Sequence, residues 1–462
     1  MTVFEAAAAA GGGMRTESVV SPGVVHDVCS AIHPLALASP FFREFELSRR
    51  VEFVVPEASY AHPLYGSGAG VDSRAAVAYR DLSRTASELG RDGAAYARLY
   101  RPLLGRLDGV VDLFLGGSPV RWPRDPFAAL AALSRALEQG SSAWGARFRE
   151  EAAPALIAGV AAHAIGRQPR PSTAAAGLLL GALGHTVGWP VPRGGSGAIA
   201  AALVSDLVAH GGRIETDHLV SDLRSLGDFD VLMFDTSVAG FASIASEVLP
   251  ASYARSLRRF RFGNAAAKVD FVLDGPIPWA DERVAAAPTV HVGGSRTEIA
   301  SAERLVARGR HPERPYVLVA QTAAFDPTRN AAGVHAVSSY THVPRGSRVD
   351  VSSAVIAQLE RFAPGFRDIV RDVRVTTAVE LSSRNPNYVG GDIGAGAVTL
   401  RQLLARPIPS WAPWRTPVPG VYLCSASTAP GPGVHGLGGW YAARLALRDA
   451  WGLEAPSLAL AS

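Results

Sequence analysis

Lysine is almost missing from this chain: Lys268 is the single lysine among 45 basic residues, and the arginines are scattered. No basic stripe with interleaved aromatics results, and a net charge of +4 over 462 residues is small, so the pattern argues against a nucleic-acid partner. Abundant Ala and Gly beside so little lysine read as a GC-rich coding bias. Cysteine is scarce too. Cys29 and Cys424 stand far apart, which removes a CxxC redox pair and a cysteine-rich zinc site. No metal-ligand spacing and no Ser-His-Asp order stands out, and no internal repeat is visible. The longest apolar stretch, Ala174 to Leu183, falls short of the roughly 20 residues of a spanning helix. Glu5 follows directly on the first apolar residues with no basic n-region, so a cytoplasmic location is expected.

What remains is a globular composition, 48% hydrophobic and 19% charged, large enough for two cores. Met1 to Glu5 reads as a short strand ending in an acid, followed by alanines, Gly11-Gly12-Gly13, then Arg15-Thr16. In a dinucleotide-binding βαβ unit such an acid follows a glycine fingerprint by about 20 residues. Here no fingerprint precedes it, so the expectation is a nucleotide-binding fold entered at its second strand.

The stretch 72–139 and Pro154 to Gly188 read as helical. Gly188 to Gly197 leads into a helix over Ala198 to His210 and a strand near Ile214. Asp230 to Asp235 is nearly all apolar, as in a parallel strand buried on both faces. Ala266 to Leu273, Thr289 to Val292, Tyr316 to Gln321 and His335 to His342 predict a second, antiparallel sheet. Finally, Gly420 to Cys424 predicts a strand, Ser425 to Gly439 a glycine-rich loop and Trp440 to Asp449 a helix. Gly431 to Gly436 formally satisfies G-x-G-x-x-G, but no second strand or ribose-binding acid follows, so it reads as a closing loop.

Together these pieces resemble the phytoene desaturase-like group of FAD-dependent oxidoreductases. That group includes carotenoid isomerase-like enzymes and a subgroup named for a pyridine nucleotide-disulphide oxidoreductase domain, and it is related to the flavin amine oxidases. The carrying residues are TVFEAAAAAGGGMRT (2–16), HDVCSAIHP (26–34), GWPVPRGGSGAIAAAL (188–203), NPNYVGGDI (385–393) and GVYLCSASTAPGPGVHGLGG (420–439). The resemblance implies an α/β chain: a Rossmann-like FAD-binding domain without its first βα unit (1–50, 190–240 and 412–452) and a mixed antiparallel-sheet and helical substrate domain (51–189 and 241–411).

By that resemblance Glu5 binds the adenosine ribose, Gly11, Gly12, Arg15 and Thr16 serve the pyrophosphate, and Val220 lies by the adenine. Ser425, Ala426, Gly433, Val434 and Gly436 belong to the loop over the flavin. Two departures stand out: the family's first strand with its fingerprint is absent, and Ser425 and Pro432 occupy positions where glycine is usual. Lys268 resembles the amine oxidase lysine that holds a water against flavin N5; a solvent-facing strand lysine is the competing reading. His435 is expected at the flavin as a hydrogen-bond partner or proton shuttle, whereas His185, His291 and His342 read as structural. Asn387 and Tyr388 line the cavity or merely shape a turn.

The expected chemistry is FAD-dependent dehydrogenation or isomerisation of an apolar, isoprenoid-type substrate. A peripheral membrane contact is added to the expected partners. Amine oxidation is the alternative, and a cofactor-free binding protein is the third reading because the fingerprint is absent.

Overall fold

The structure, a computed structural model, describes residues 1–65, 74–118, 120–330 and 333–460. Its centre is a seven-stranded sheet in the order Val370–Thr376, Ala265–Leu273, His335–Val343, Val317–Ala320, Thr289–Val292, Ala58–Leu64, Arg74–Tyr79. Every neighbouring pair is antiparallel except Thr289–Val292 with Ala58–Leu64, which is parallel. The last strand of that order, Arg74–Tyr79, is a correction to the helical reading of 72–139, whose residues 72, 73 and 119 lie outside the described residues. RAAVAY at 74–79 is alanine-rich, which favours helix locally, but pairing with Ala58–Leu64 overrides that weak preference.

Alternation sorts the side chains of Ala265–Leu273 onto two faces. Val269 and Phe271 join Val319, Phe366 and Leu359 in one core beneath the sheet. Lys268 and Asp270 point to the other face. The register then puts Thr376, Lys268, Tyr340, Leu318 and His291 in one row across five strands. At the far end of that face, Tyr60, Ala76 and Ala78 are covered by the helices Gly93–Leu104, Pro126–Gln139, Ala152–Ala161 and Pro171–Gly184. The last two pack closely because Gly177 faces Ala161, where a Cβ would lie only 2.7 Å from the Ala161 Cα. No helix among the described residues is long and apolar enough to cross a membrane.

The remaining layer holds two separate two-stranded parallel sheets. Thr2–Phe4 pairs with Arg213–Glu215, and Leu232–Phe234 pairs with Val421–Leu423. Around them lie the helices Gly197–Ala209 and Leu437–Trp451, each entered through glycine. Of the run 230–235, expected to be buried on both faces, only Phe234 is buried; Leu232 and Met233 are half-covered, because the strand has one partner in this sheet.

Candidate functional site

Lys268 is buried, 6% exposed, and forms an ion pair with Asp270 two residues along the same face. The reading of Lys268 as a solvent-facing lysine is therefore set aside. Asp270 Oδ1 also accepts a hydrogen bond of 2.8 Å from Ser338 Oγ. Lys268 and Asp270 line a small space of about 10 Å³ together with Gly12, Arg15, Arg384, Asn385 and Tyr388. Its polar lining carries three cations, Arg15, Lys268 and Arg384, against the Asp270 carboxylate, an excess that favours an anionic group alongside. Desolvation holds the Tyr388 phenol in its neutral form, and burial likewise pushes up the Cys29 thiol beside it.

Arg15 also lines a second, larger cavity of about 400 Å³, bounded by Ala9, Thr16, Gly197, Ala201 and Ile214. Its Nε is buried without a hydrogen-bond partner, the nearest carboxylate oxygen being Glu17 Oε1 at 3.4 Å. Gly11 just before it has φ of 119°, and a Cβ there would come within 3.1 Å of Ala200 on the facing helix. Glycine thus lets the N-terminal loop lie against that helix. Thr16 Oγ1 donates to Asp27 Oδ1 at 2.8 Å and accepts from Gly197 N at 2.9 Å.

That last contact belongs to a buried network around the turn before the helix. Asp27 Oδ1 accepts from Ser196 N at 2.7 Å, and Asp326 Oδ2 accepts from Gly194 N at 2.6 Å. Arg329 bridges the two carboxylates and donates to Pro192 O at 2.9 Å. His33 Nε2 lies 2.7 Å from Ser196 Oγ, which itself donates to Ser30 O at 2.6 Å. The hydroxyl proton is committed to a carbonyl, so this Ser-His pair holds the turn and activates no nucleophile. The amides of Gly194, Ser196 and Gly197 are each taken by protein oxygens, which leaves this helix entry without free donors at those positions.

The closing loop between Val421–Leu423 and Leu437–Trp451 is also internally held. Ser425 Oγ accepts from Ser427 N at 3.1 Å, and Ala426 O accepts from Arg406 Nε at 2.8 Å. Gly433 and Gly436 have φ of 140° and 66°, with Leu35 and Phe41 where a Cβ would lie. Val434 packs with the Phe42 and Phe45 cluster. His435, expected at the flavin, lines neither cavity: Nε2 lies 3.2 Å from Gly431 O, and Nδ1 accepts from Leu437 N at 3.1 Å. Burial lowers its pKa to about 4. Both ring nitrogens thus contact the loop and the helix entry.

Gly12, Arg15, Lys268 and Tyr388 are therefore brought together, and Gly11 and Thr16 adjoin them. Glu5 lies apart: its Oε1 accepts from Ala7 N at 2.8 Å and its carbonyl from His218 N at 2.9 Å. Asn387 Oδ1 accepts from Ser237 N at 2.7 Å and faces neither cavity. Val220 is half-buried in the segment after Arg213–Glu215 and lines neither space. Sequence reasoning missed Asp270, Asn385, Arg384 and the Asp27–Arg329–Asp326 cluster. For Asp270 the i, i+2 spacing to a lone lysine on a strand was an available signal; Arg329 joins Asp27 only through the fold.

A second buried group gathers around His291, the far end of the row that runs through Lys268. His291 Nε2 and His163 Nε2 are 2.9 Å apart, and His342 Nδ1 contacts Glu303 at 2.5 Å. Tyr316 stacks between His291 and His342, with ring centroids 6.2 and 5.1 Å away. Desolvation holds the His291 ring neutral.

No family model matches the chain. Pyridine nucleotide-disulfide oxidoreductase domain-containing protein 2 of Rattus norvegicus is 27% identical over 369 residues, covering 69% of this chain and 61% of the relative. Its Mus musculus counterpart is 28% identical over the same shares. The chain spans about 61% of the length of these curated relatives. Among solved structures, an oxidoreductase from Methanosarcina mazei superposes with a TM-score of 0.58 at 15% identity, covering 95% of this chain and 92% of that one. Cyclohexylamine oxidase from Brevibacterium oxydans gives 0.55 at 12%, and putrescine oxidase bound to putrescine 0.53 at 15%, each covering 97% of this chain and 92% of the other. These likenesses establish the fold as the α/β, Rossmann-like architecture of such oxidoreductases.

Proposed function

We propose that this chain carries the FAD-contacting and substrate-contacting parts of an oxidoreductase of the phytoene desaturase-like group. Segments 1–50, 190–240 and 412–452 form the cofactor layer, and 51–189 and 241–411 the substrate layer. The observation that carries the reading is Arg15: a buried guanidinium Nε that makes no hydrogen bond, with the Glu17 carboxylate at 3.4 Å, on the wall of the 400 Å³ cavity and of the small space at Lys268. A buried donor without a hydrogen bond fits an anionic ligand, and the cavity has volume for part of a dinucleotide. Gly11, Gly12, Arg15 and Thr16 would hold the pyrophosphate; by the resemblance Glu5 and Val220, which lie outside both cavities, would serve the adenosine beyond them, and the loop carrying Ser425, Ala426, Gly433, Val434 and Gly436, also outside them, the flavin end. FAD bound there supplies hydride acceptance at N5. The protein's own contribution is orientation, exclusion of water by Tyr388 and the glycine turns, and a fixed ammonium at Lys268 held by Asp270.

An apolar, isoprenoid-type substrate is the primary reading, from the residues of the resemblance. Amine oxidation is the second, favoured by the buried Lys268–Asp270 pair and the fold shared with two amine oxidases. Titrating the purified chain with FAD and following flavin fluorescence tests the cofactor: quenching is expected, with Arg15→Ala weakening it about tenfold or more. Unquenched flavin would favour the cofactor-free binding protein. Hydrogen peroxide and ammonia released from an amine would sink the desaturase reading.

A further inference from the structure

The sheet face that carries Lys268 leads, three strands away, to a group of imidazoles whose protons can be placed one by one. Gly159 of the helix Ala152–Ala161 lies against two of them: a Cβ there would come within 2.7 Å of His62 Nδ1 and 2.9 Å of His291 Cβ. His62 Nε2 lies 2.7 Å from Gly294 O, which can only accept. Burial keeps this ring neutral, lowering it to about 4, so its proton is on Nε2 and its unpartnered Nδ1 is a bare lone pair.

His291 is wholly buried, and its Nδ1 has no hydrogen-bond partner either. Buried N–H groups are rarely left unpaired, whereas a bare lone pair is tolerated better. The proton of the neutral His291 ring therefore sits on Nε2 and is donated to His163 Nε2 at 2.9 Å. Desolvation lowers His163 to about 3, so that ring is neutral as well. With Nε2 accepting, its one proton is on Nδ1.

That Nδ1–H is a donor without a partner among the described residues. Unlike His62, His291 and His342, His163 is only half-covered. A ring that keeps access yet is strongly desolvated lies in a recess rather than on open surface. Its orientation is fixed. It stands edge-on to Trp189 and to His291, with centroids 5.3 and 5.0 Å away. The turn Ala162–Ala164 that carries it ends at Ile165 with φ of 46°, a left-handed conformation that a β-branched residue rarely adopts. Gln168 Nε2 ties the following segment back to Ala158 O at 3.0 Å.

The surroundings select the ligand's chemistry. In the Lys268 row Tyr340 alone is half-covered, and burial holds its phenol neutral. The Glu303 carboxylate packed with these rings is fully buried and tied to His342. A protonated amine would meet a donor instead of an acceptor, and a ligand carboxylate would meet the repulsion of Glu303. An uncharged oxygen suits the Nδ1–H.

We infer that His163, oriented by His291, donates its Nδ1–H to the carbonyl or hydroxyl oxygen of an otherwise apolar, uncharged ligand on this face and so determines specificity. The inference rests on the reading of this face as part of the substrate layer.

The test uses the full chain and β-ionone, an apolar isoprenoid ketone, followed by tryptophan quenching beside the analogue that lacks the carbonyl oxygen. Ketone binding should weaken about tenfold in His163→Phe and in His163→Gln, whose amide reaches only toward His291. It should persist within about threefold in His163→Asn, whose amide stands in for Nδ1–H. The hydrocarbon should bind all four proteins alike. In the wild-type complex the ketone C=O stretch should lie at lower frequency than for β-ionone in hexane, a readout that needs no variant to fold. No ketone binding, equal ketone binding by all four proteins, an unshifted C=O stretch, or tighter binding of geranylamine than of the ketone overturns the inference. Unquenched FAD beside histidine-dependent ketone binding would sink the cofactor reading alone. Quenched FAD beside ketone binding indifferent to residue 163 would sink the inference alone.

Discussion

Arg329 and Asp27 form a salt bridge in which each side chain is 1% exposed, although 302 residues separate them. Arg329 reaches Asp326 and the Pro192 carbonyl as well, and Asp27 fixes Ser196 N and Thr16 Oγ1. One guanidinium therefore ties the loop before His335–Val343 to the turn that opens Gly197–Ala209.

Removing it should be costly. Arg329→Met leaves two buried carboxylates without their cation, and breaking a buried pair in this way costs about 3–5 kcal/mol. Chemical denaturation would read this as a lower midpoint; Arg329→Lys should recover only part, because a single ammonium lacks the planar fork. A loss below about 1 kcal/mol would refute the clamp. Loosening the turn should also weaken FAD binding under the proposed function.

The pair Lys268–Asp270 invites a double-mutant cycle. Lys268→Met alone strands a buried carboxylate and should cost several kcal/mol, on the order of 3–5. Adding Asp270→Asn should return much of that loss, since the pair then goes together and Ser338 Oγ keeps an acceptor. Additive losses would show that the two residues do not act as a unit.

The elements that could be read from the sequence are those where local pattern and tertiary environment agree. Thr289–Val292 and His335–Val343 carry β-branched and aromatic residues, and the two helices of 154–188 carry Ala and Leu between Pro and Gly punctuation. Arg74–Tyr79 was misread because three of its six residues are alanine. At the site, Gly12, Arg15 and Tyr388 were recognisable from contiguous motifs. Arg329 and Arg384 were not, because their meaning lies in a partner supplied by folding, whereas Asp270 was overlooked although it stands two residues from the lone lysine on one strand. His435, singled out by its place in a glycine loop, has its ring nitrogens against Gly431 O and Leu437 N, contacts that the sequence did not suggest.

Stability should fall steadily in mild acid. Burial lowers His33, His62, His185 and His435 each to about 4, below the ordinary 6.5. Between those values the unfolded chain binds protons that the folded chain does not, so stability is complete above pH 6.5 and lost as pH drops toward 4. The slope is up to about 1.4 kcal/mol per pH unit for each histidine. Urea unfolding at pH 7.5 and 5.5 measures it, and His185→Gln should lower the slope by about one proton. Equal stability at both values would contradict neutral burial of these rings.

Two glycines at helix ends separate backbone strain from crowding. Gly436 opens Leu437–Trp451 with φ of 66°, and Gly452 closes it with φ of 67°. A Cβ on Gly452 meets nothing within 4 Å, whereas one on Gly436 would lie 2.4 Å from Phe41 Cδ1. Gly452→Ala should therefore cost only the left-handed penalty, about 1 kcal/mol. Gly436→Ala adds overlap with a ring that also packs on Phe42, Phe45 and Trp440, for a total of about 2–4 kcal/mol. Thermal unfolding of the two variants side by side gives the difference. Because Gly436 belongs to the loop assigned to the flavin end, its substitution should also lower FAD affinity, while Gly452→Ala leaves affinity unchanged. Equal destabilisation by the two would mean that Phe41 moves aside freely and that the loop is not held by close packing.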